Sequence, residues 1–359
     1  MRIVAALLAL AFLASGCATK TTDSPTGGTM ATVPNGACGA LLCNATVTVP
    51  HVDARKTLDD LKAFSQAFPY RQSGNPSHVA ARDDLEARFT AAGLPVLRQS
   101  FERPLGANLP VVAGPTYTGQ NVIGIKWGAQ RDHFVVIGAH YDVTEGAIYG
   151  TYDDGSGTAL VFELAAAFAH VATDRTILFC EFDQEELGLV GSAHLLSTFE
   201  DHTFPYNGTI DAMLDLDMIG ITYPHPAKMV VWQNSPEVKG LVTNLTAAAK
   251  VPAAQLEFRK TKGGTSDGAT FIAAGIPTAY FWSDWDEYSL PNGQPMPYVG
   301  LYVGAYPWWH KVDTYDTMVL AAGNEATLQA GFQTTLDVVS PTLATFASAA
   351  FQPTVATDA

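Results

Sequence analysis

The chain has 359 residues, with 35 Asp and Glu against 20 Lys and Arg, and a formal net charge of -15. So acidic a balance argues against a nucleic-acid binder, whose affinity rests on Lys and Arg neutralising phosphates. With 47% hydrophobic and 15% charged residues, wholesale disorder is excluded as well, and the absence of heptads or a 20–50-residue repeat leaves a globular enzyme or binding protein.

The first segment, Met1–Lys20, carries one Arg, an apolar run Ile3–Ala14, and then Ser15-Gly16-Cys17. That run is too short to span a bilayer, and small residues precede the cysteine as they do in a cleaved export signal. The Leu13-Ala14-Ser15-Gly16-Cys17 ending resembles a bacterial lipoprotein signal. The resemblance implies that residues 1–16 are removed and that Cys17 becomes the lipid-bearing N-terminus, a membrane anchor that gains about 0.8 kcal/mol per buried CH₂. An ordinary signal peptide cut nearby is the alternative. The expected location is the cell envelope, on the periplasmic side, with Ala18 hinting at the outer membrane. Residues 17–50 read as a tether, because Thr19–Ala37 is rich in Thr, Gly and Pro. Cys38 and Cys43 most simply pair with each other in an export context, and Cys180 reads as a buried free thiol.

After the tether, Leu58, Leu61 and Phe64 predict a helix over Thr57–Phe68, with Thr57 and Asp60 as a capping box. Asn75-Pro76 opens a second helix that runs to Ala92, before Gly93 and Pro95. Strand-like runs follow at Val96–Gln99, Asn121–Trp127, Phe134–Ala139, Thr176–Phe182, Met213–Leu216 and Lys228–Trp232. Helical stretches fall at Ser156–Ala169, Ser192–Thr198, Val238–Ala249 and Asp267–Ala274, and a long amphipathic one at Asn324–Ala349. This alternation predicts one α/β domain over residues 51–350, a mostly parallel, mixed central sheet flanked by helices, followed by a tail at 351–359. Ligands of such sheets bind beyond the carboxyl ends of the strands.

Those ends are where the reactive side chains lie. Phe134–Ala139 runs into His140-Tyr141-Asp142, Thr176–Phe182 into Asp183-Gln184-Glu185-Glu186, and Met213–Leu216 into Asp217. The turn Asp153-Asp154-Gly155-Ser156-Gly157 leads into a helix, and His310-Lys311-Val312-Asp313 follows an aromatic loop. Carboxylates and two histidines delivered to one sheet edge are what a zinc site of mixed N and O ligands requires. One carboxylate can bridge two metals, and a free one beside them can take a proton from water.

Together these segments resemble the M28 peptidases, a family of co-catalytic zinc aminopeptidases. The matching residues are His140-Tyr141-Asp142, Asp153-Asp154-Gly155-Ser156-Gly157, Glu185-Glu186-Leu187-Gly188, Asp215-Leu216-Asp217-Met218-Ile219-Gly220, and His310 with Asp313. Weaker matches are Arg71-Gln72-Ser73-Gly74 and Ser266-Asp267 leading to Phe271 and Gly275-Ile276-Pro277. The likeness covers residues 57–340 and implies a zinc-peptidase fold of the phosphorylase/hydrolase type with two zinc ions per chain. His140 and Asp217 would hold one zinc, Glu186 and His310 the other, with Asp153 bridging. Asp142 would orient His140 from behind, and Glu185 would be the general base. The implied substrates are peptides with a free N-terminus.

Some alternatives stay open at this level. Asp215 lies two residues before Asp217 on the same strand face, so either could be the ligand. Trp309 stands where several secreted family members have a Tyr, and it receives no role. The Trp309-His310 pair is similar to glutaminyl cyclases, which share the fold but use one zinc for an acyl-transfer cyclisation. Carboxypeptidase-like or dipeptide-specific relatives and a non-catalytic peptide-binding lipoprotein are further alternatives. The aromatic residues from Tyr280 to Trp309 are either a lid over the substrate pocket or ordinary packing, and Asp284, Asp286 and Glu287 read as a solvated acidic loop rather than a calcium site. His51, His78, His133, His170, His194, His202 and His225 read as surface or packing residues. Oligomeric state is not encoded in any of these features.

Overall fold

A computed structural model of the chain describes residues 22–23, 28–32, 46–102, 118–260, 266–284 and 306–355. The signal segment, Cys17, Cys38, Cys43, Tyr288, Tyr298 and Tyr302 lie outside the described residues. A small antiparallel sheet joins β1 (Thr22–Asp23), β2 (Gly28–Thr32) and β3 (Thr46–Pro50). The main body follows as α1 (Ala54–Ala67), α2 (Pro76–Ala91), β4 (Val96–Glu102), β5 (Thr118–Lys126), β6 (Gln130–His140), α3 (Gly155–Phe168), β7 (Arg175–Phe182) and α4 (Val190–Glu200). It continues with β8 (Thr209–Leu216), β9 (Lys228–Gln233), α5 (Pro236–Ala248), β10 (Leu256–Arg259), α6 (Asp267–Ala273), β11 (Thr278–Asp284), α7 (Tyr315–Ala322) and α8 (Glu325–Phe346). Among the described residues no helix is long and apolar enough to cross a membrane.

The eight-stranded sheet has the order β10-β9-β11-β8-β6-β7-β5-β4. Its four central strands, β11, β8, β6 and β7, run parallel, while β5 and β9 run against them. Ile137 of β6 lies between Phe179 of β7 and Leu214 of β8. Side chains alternate across the sheet with the period of two that a strand imposes. Val135, Ile137 and Phe179 join the core under α1, α2, α3 and α8, while Phe134, Val136 and Leu178 join a second core with Leu195 of α4 and Phe271 of α6. Every residue of β7 is buried, including the free thiol of Cys180. That explains why this run is continuously apolar rather than alternating.

Several elements differ from the sequence expectation: β10 is not among the expected strands, and β1–β3 form a paired sheet within the stretch 17–50 that reads as a tether. Helix α1 begins at Ala54, because the Asp53 carboxylate accepts the amides of Arg55 and Lys56. The Thr57 hydroxyl donates back to the Asp53 carbonyl at 3.0 Å instead of capping a helix of its own. The C-terminal helical stretch is preceded by α7, which stops at Gly323, whose φ of 92° is left-handed and accessible at little cost only to glycine. Asn324 then caps α8 by accepting the Thr327 amide. Finally, Tyr280, Phe281 and Trp282 belong to β11, inserted between β8 and β9. Tyr280 and Phe281 are buried in the sheet. This part of the aromatic stretch is core, not lid.

At the amino-terminal pole of the sheet, the end of the chain is tied down by one buried cation. The Arg175 guanidinium donates to the Asp211 carboxylate at 2.6 Å, to the carbonyls of Phe346 and Phe351 at 2.8 Å each, and to that of Ser348 at 2.5 Å. Phe351 is buried and stacks on Phe346 at 5.2 Å. Replacing Arg175 with Met would leave three carbonyls without their donor and the partly exposed Asp211 carboxylate with His133 as its remaining charged partner, so Arg175→Met should destabilise the fold by about 3 kcal/mol. A urea titration that gave an unchanged midpoint would contradict this account.

Candidate metal centre

The parallel centre of the sheet brings its carboxyl-terminal ends to one edge. His140 is the last residue of β6 and pairs with Phe182, the last of β7. Asp217 follows the last residue of β8, and its amide donates to the Phe281 carbonyl of β11 at 3.2 Å. Asp153 precedes α3, and His310 lies in the segment before α7. Three of the flanking non-glycine residues are left-handed: Gln184 (φ 61°) just before Glu185, Met218 (φ 51°) just after Asp217, and His310 itself (φ 57°). Such strain, on the order of 1–3 kcal/mol per residue, persists only where the surroundings fix it, and it gathers at functional sites.

The donors fall into two groups. His140, Asp153 and Asp217 form one, and Asp153, Glu186 and His310 the other; within each, the candidate ligand atoms lie within 4.8 Å of one another. Asp153 belongs to both. Its Oδ1 lies 3.2 Å from His140 Nε2 and its Oδ2 lies 3.2 Å from His310 Nε2. His310 Nε2 also lies 3.3 Å from Glu186 Oε1. The first group is buried, whereas the His310 side chain keeps 33% of its exposure, so the second group is the one reached from solvent. Glu185 stands in neither group. Its Oε2 lies 4.0 Å from His140 Nε2.

The surrounding polar groups hold these side chains through the backbone. Asp142 lies with Oδ1 3.5 Å and its carbonyl 3.2 Å from His140 Nδ1. The same carboxylate accepts the amides of Glu185 at 3.1 Å and Glu186 at 3.4 Å, so it ties the Glu185-Glu186 segment to the histidine segment. Asp154 lies in neither donor group and caps α3 by accepting the Gly157 amide at 2.8 Å; it also accepts the Met218 amide at 3.2 Å. Ser156 accepts the Ile219 amide at 3.0 Å. A Cβ on Gly157 would sit 2.3 Å from the Leu216 carbonyl oxygen, which accounts for glycine where this turn meets the end of β8. Asp313 Oδ2 accepts the amides of Tyr152 at 2.6 Å and Asp153 at 3.0 Å. Fully buried Arg71 donates to the carbonyls of Tyr141, Phe68, Tyr149 and Gly150.

Burial and mutual repulsion set the charges. Burial, then Asp153, pushes Asp217 up to about 8. Burial also raises Glu185 well above the carboxylate range, with Asp267, Asp217 and Glu186 adding to it against the pull of His140. Glu186 is raised by burial and by Asp153. Burial works against the imidazolium of His310, but Asp153 and Glu186 outweigh it and lift the group to about 10. Asp153, despite its burial, is drawn below the usual range by the two histidines. Asp217 Oδ1 is buried without a partner among the described residues. Mixed imidazole and carboxylate donors, excess negative charge and an unpartnered ligand oxygen together fit divalent zinc.

The two aspartates at the end of β8 have different surroundings. Asp215 Oδ2 accepts the Gly268 amide at the start of α6 at 2.7 Å, and burial raises the group to about 7; it lies in neither donor group. His78 is buried packing, with Nε2 2.7 Å from Asp183 Oδ1 and its ring stacked on Tyr141 at 5.0 Å. His133 pairs with Asp211 at 2.9 Å at the opposite pole. Trp309, left without a role by its sequence context, packs its ring 3.7 Å from that of His310. The backbone contacts of Asp154 and Asp313 were not read from the sequence. An Asp immediately before Gly-Ser-Gly carries a helix-cap signal that identifies the first, whereas nothing local identifies the second.

The edge of this parallel-centred α/β sheet thus carries two His-carboxylate groups that share one Asp, each of which could hold a metal ion. The sequence profile of Peptidase family M28 matches residues 121–327, and the chain belongs to that family. Aminopeptidase YwaD of Bacillus subtilis (strain 168) is 32% identical over 191 residues, which cover 50% of this chain and 39% of the relative. The chain spans less than half the length of such curated relatives. The solved aminopeptidase from Aneurinibacillus sp. strain AM-1 superimposes with a TM-score of 0.59 at 19% identity, over 83% of this chain and 94% of that one. An Acidobacteriales bacterium glutaminyl cyclase superimposes with a TM-score of 0.60 at 21% identity, over 81% and 95%. These structural likenesses establish the fold.

The pKa directions predict how the metal-free protein responds to pH. Asp215 and Asp313 near 7 and Asp217 near 8 bind more protons folded than unfolded once the pH exceeds about 4, the unfolded carboxyl value. Raising the pH through that window therefore costs stability. The raised His310 adds stability below about 6.5 that is lost as the pH climbs toward its folded value. Chelator-treated protein should melt at a progressively lower temperature as the pH is raised from about 5.5 to about 9. Zinc, which binds deprotonated ligands, should reverse that trend. A metal-free melting temperature that rises over this range would contradict the assignment.

Proposed function

We propose that the protein is an exported, lipid-anchored, metal-dependent aminopeptidase with two zinc ions per chain. The observation that carries this reading is Asp153, whose two oxygens each lie 3.2 Å from the imidazole of a different donor group. His140, Asp153 and Asp217 would hold one zinc, and Asp153, Glu186 and His310 the other. When bound, zinc lowers the pKa of water and polarises a carbonyl. The hydrolysis then needs one proton carrier, and Glu185 is the candidate: it stands beside the donor groups, belongs to neither, and its Oε2 lies 4.0 Å from His140 Nε2. It takes the proton of the attacking water and delivers it to the departing amine, so one peptide bond is exchanged for a carboxylate and an ammonium. The substrate's α-ammonium sits against the half-open side, near Glu186, which restricts cleavage to the first residue of a peptide.

Glutaminyl cyclase-like chemistry is the second reading, favoured by the packing of Trp309 on His310. It needs one zinc, whereas both three-residue groups are complete here. A non-catalytic peptide-binding lipoprotein would be expected to lack a ligand or the base, and His140, Asp153, Glu185, Glu186, Asp217 and His310 are all in place.

Purified protein should contain about two zinc ions per chain, release the first residue of an aminoacyl chromophore, and lose that activity to a chelator. Glu185→Gln should lower kcat by about 10²–10⁴-fold while retaining both metals. Full activity in this variant would remove Glu185 from the mechanism, a single zinc would favour the cyclase, and cleavage from the carboxyl end would favour a carboxypeptidase. Replacing Cys17 with Ala in the full chain should move the protein from the membrane fraction to the soluble fraction; continued sedimentation with membranes would refute lipid anchoring at that residue.

A further inference from the structure

We infer that Asp313 is a positioning residue that sets the bridging carboxylate for both donor groups at once. This rests on the binuclear reading of the site. Both oxygens of Asp153 face histidines, so its side chain cannot also fix its own backbone. Something else must, and the contacts converge on one residue. Asp313 Oδ2 accepts the amides of Tyr152 at 2.6 Å and Asp153 at 3.0 Å. The Asp313 carbonyl accepts the Thr151 amide at 3.3 Å and the Thr151 hydroxyl at 3.1 Å. Three consecutive residues, 151–153, are thus held by one residue that is 1% exposed.

Asp313 lies three residues beyond His310, so the clamp on the bridge and a ligand of the open group ride on one short segment. That segment is joined to the preceding part of the loop as well, since the Ile148 amide donates to the Lys311 carbonyl at 3.0 Å. Displacing Asp313 frees the peptide that aims Asp153, and Asp153 belongs to both groups. The two metal affinities should therefore fall together. Loss of a terminal ligand such as His310 should instead weaken only its own group.

The experiment is a competition titration with a chromophoric zinc chelator on the purified protein, which reads both affinities without reference to activity. Asp313→Ala should weaken both zinc sites by about 10–100-fold. Asp313→Asn keeps a carbonyl oxygen that can accept both amides and should restore most of the loss. His310→Gln is the control that should weaken one site only. Thr151→Val removes one hydroxyl donor to the Asp313 carbonyl and is mild enough to decide the matter if the alanine variant does not fold; it should weaken both sites by a few-fold. Wild-type affinities in the folded Asp313→Ala protein, or in Thr151→Val where the former does not fold, would overturn the inference. So would weakening of one site alone. A residue that served only general stability would lower the melting temperature and leave both affinities unchanged. Wild-type protein that binds no zinc would instead refute the metal reading on which the inference rests.

Discussion

Asp153 has both carboxylate oxygens committed, one to each histidine, and the loops around it are arranged to make that double commitment possible. A carboxylate shared in this way has no freedom left to correct an error in its own backbone. Its position must be supplied by neighbours from other parts of the chain: Asp313, beyond β11, holds its amide, and Arg71, before α2, holds the Gly150 carbonyl three residues upstream. The sheet supplies the common platform. Because β6, β7 and β8 are adjacent and parallel, the chain leaves all three at the same edge, within reach of one loop and one helix start.

The same arrangement concentrates like charge where water is scarce. Asp153, Glu185, Glu186 and Asp217 stand together against His140 and His310, and a buried carboxylate crowd of this kind is costly unless cations balance it. The metal-free fold answers by shifting protons, raising Asp217 and both glutamates. Buried donors meet part of the remaining demand. Arg71 spends its donors on carbonyls and brings a positive charge behind the site, although burial lowers its pKa to about 10. The backbone amides of Glu185 and Glu186 converge on Asp142 in the same spirit. Local strain at Gln184, Met218 and His310 is held in place by these contacts.

Much of this was legible from residue order alone. His140, Glu185, Glu186 and Asp217 each follow a buried apolar run, and an abrupt change from apolar to ionisable at a strand end is a local signal. The sequence favoured Asp217 over Asp215 through its Asp-Met-Ile-Gly context, and the sheet adds a contact that no local pattern announces, the Gly268 amide on Asp215. Strand β11 was hidden because Tyr280-Phe281-Trp282 has no alternation, being buried between β8 and β9, and aromatic runs read equally well as a loop. The start of α1 was hidden by Arg55 and Lys56, which break the apolar period in a turn that Asp53 caps. Asp313 gave no signal of its role, since it acts on the backbone of residues far away in the chain.

The way Arg175 grips the carbonyls of Phe346, Ser348 and Phe351 bears on how the chain matures. A cation in the middle of the sequence finds three of its acceptors among the last residues described, and α8 packs on α1 and β3 near the beginning. No nascent fragment ending before residue 351 can satisfy that guanidinium or close the sheet's lower pole. Contacts spanning so much of the sequence are slow to form and cannot be made in instalments. Folding is therefore expected to be completed only once residue 351 has been made, and truncation before it would weaken the whole fold although it lies far from the donor groups.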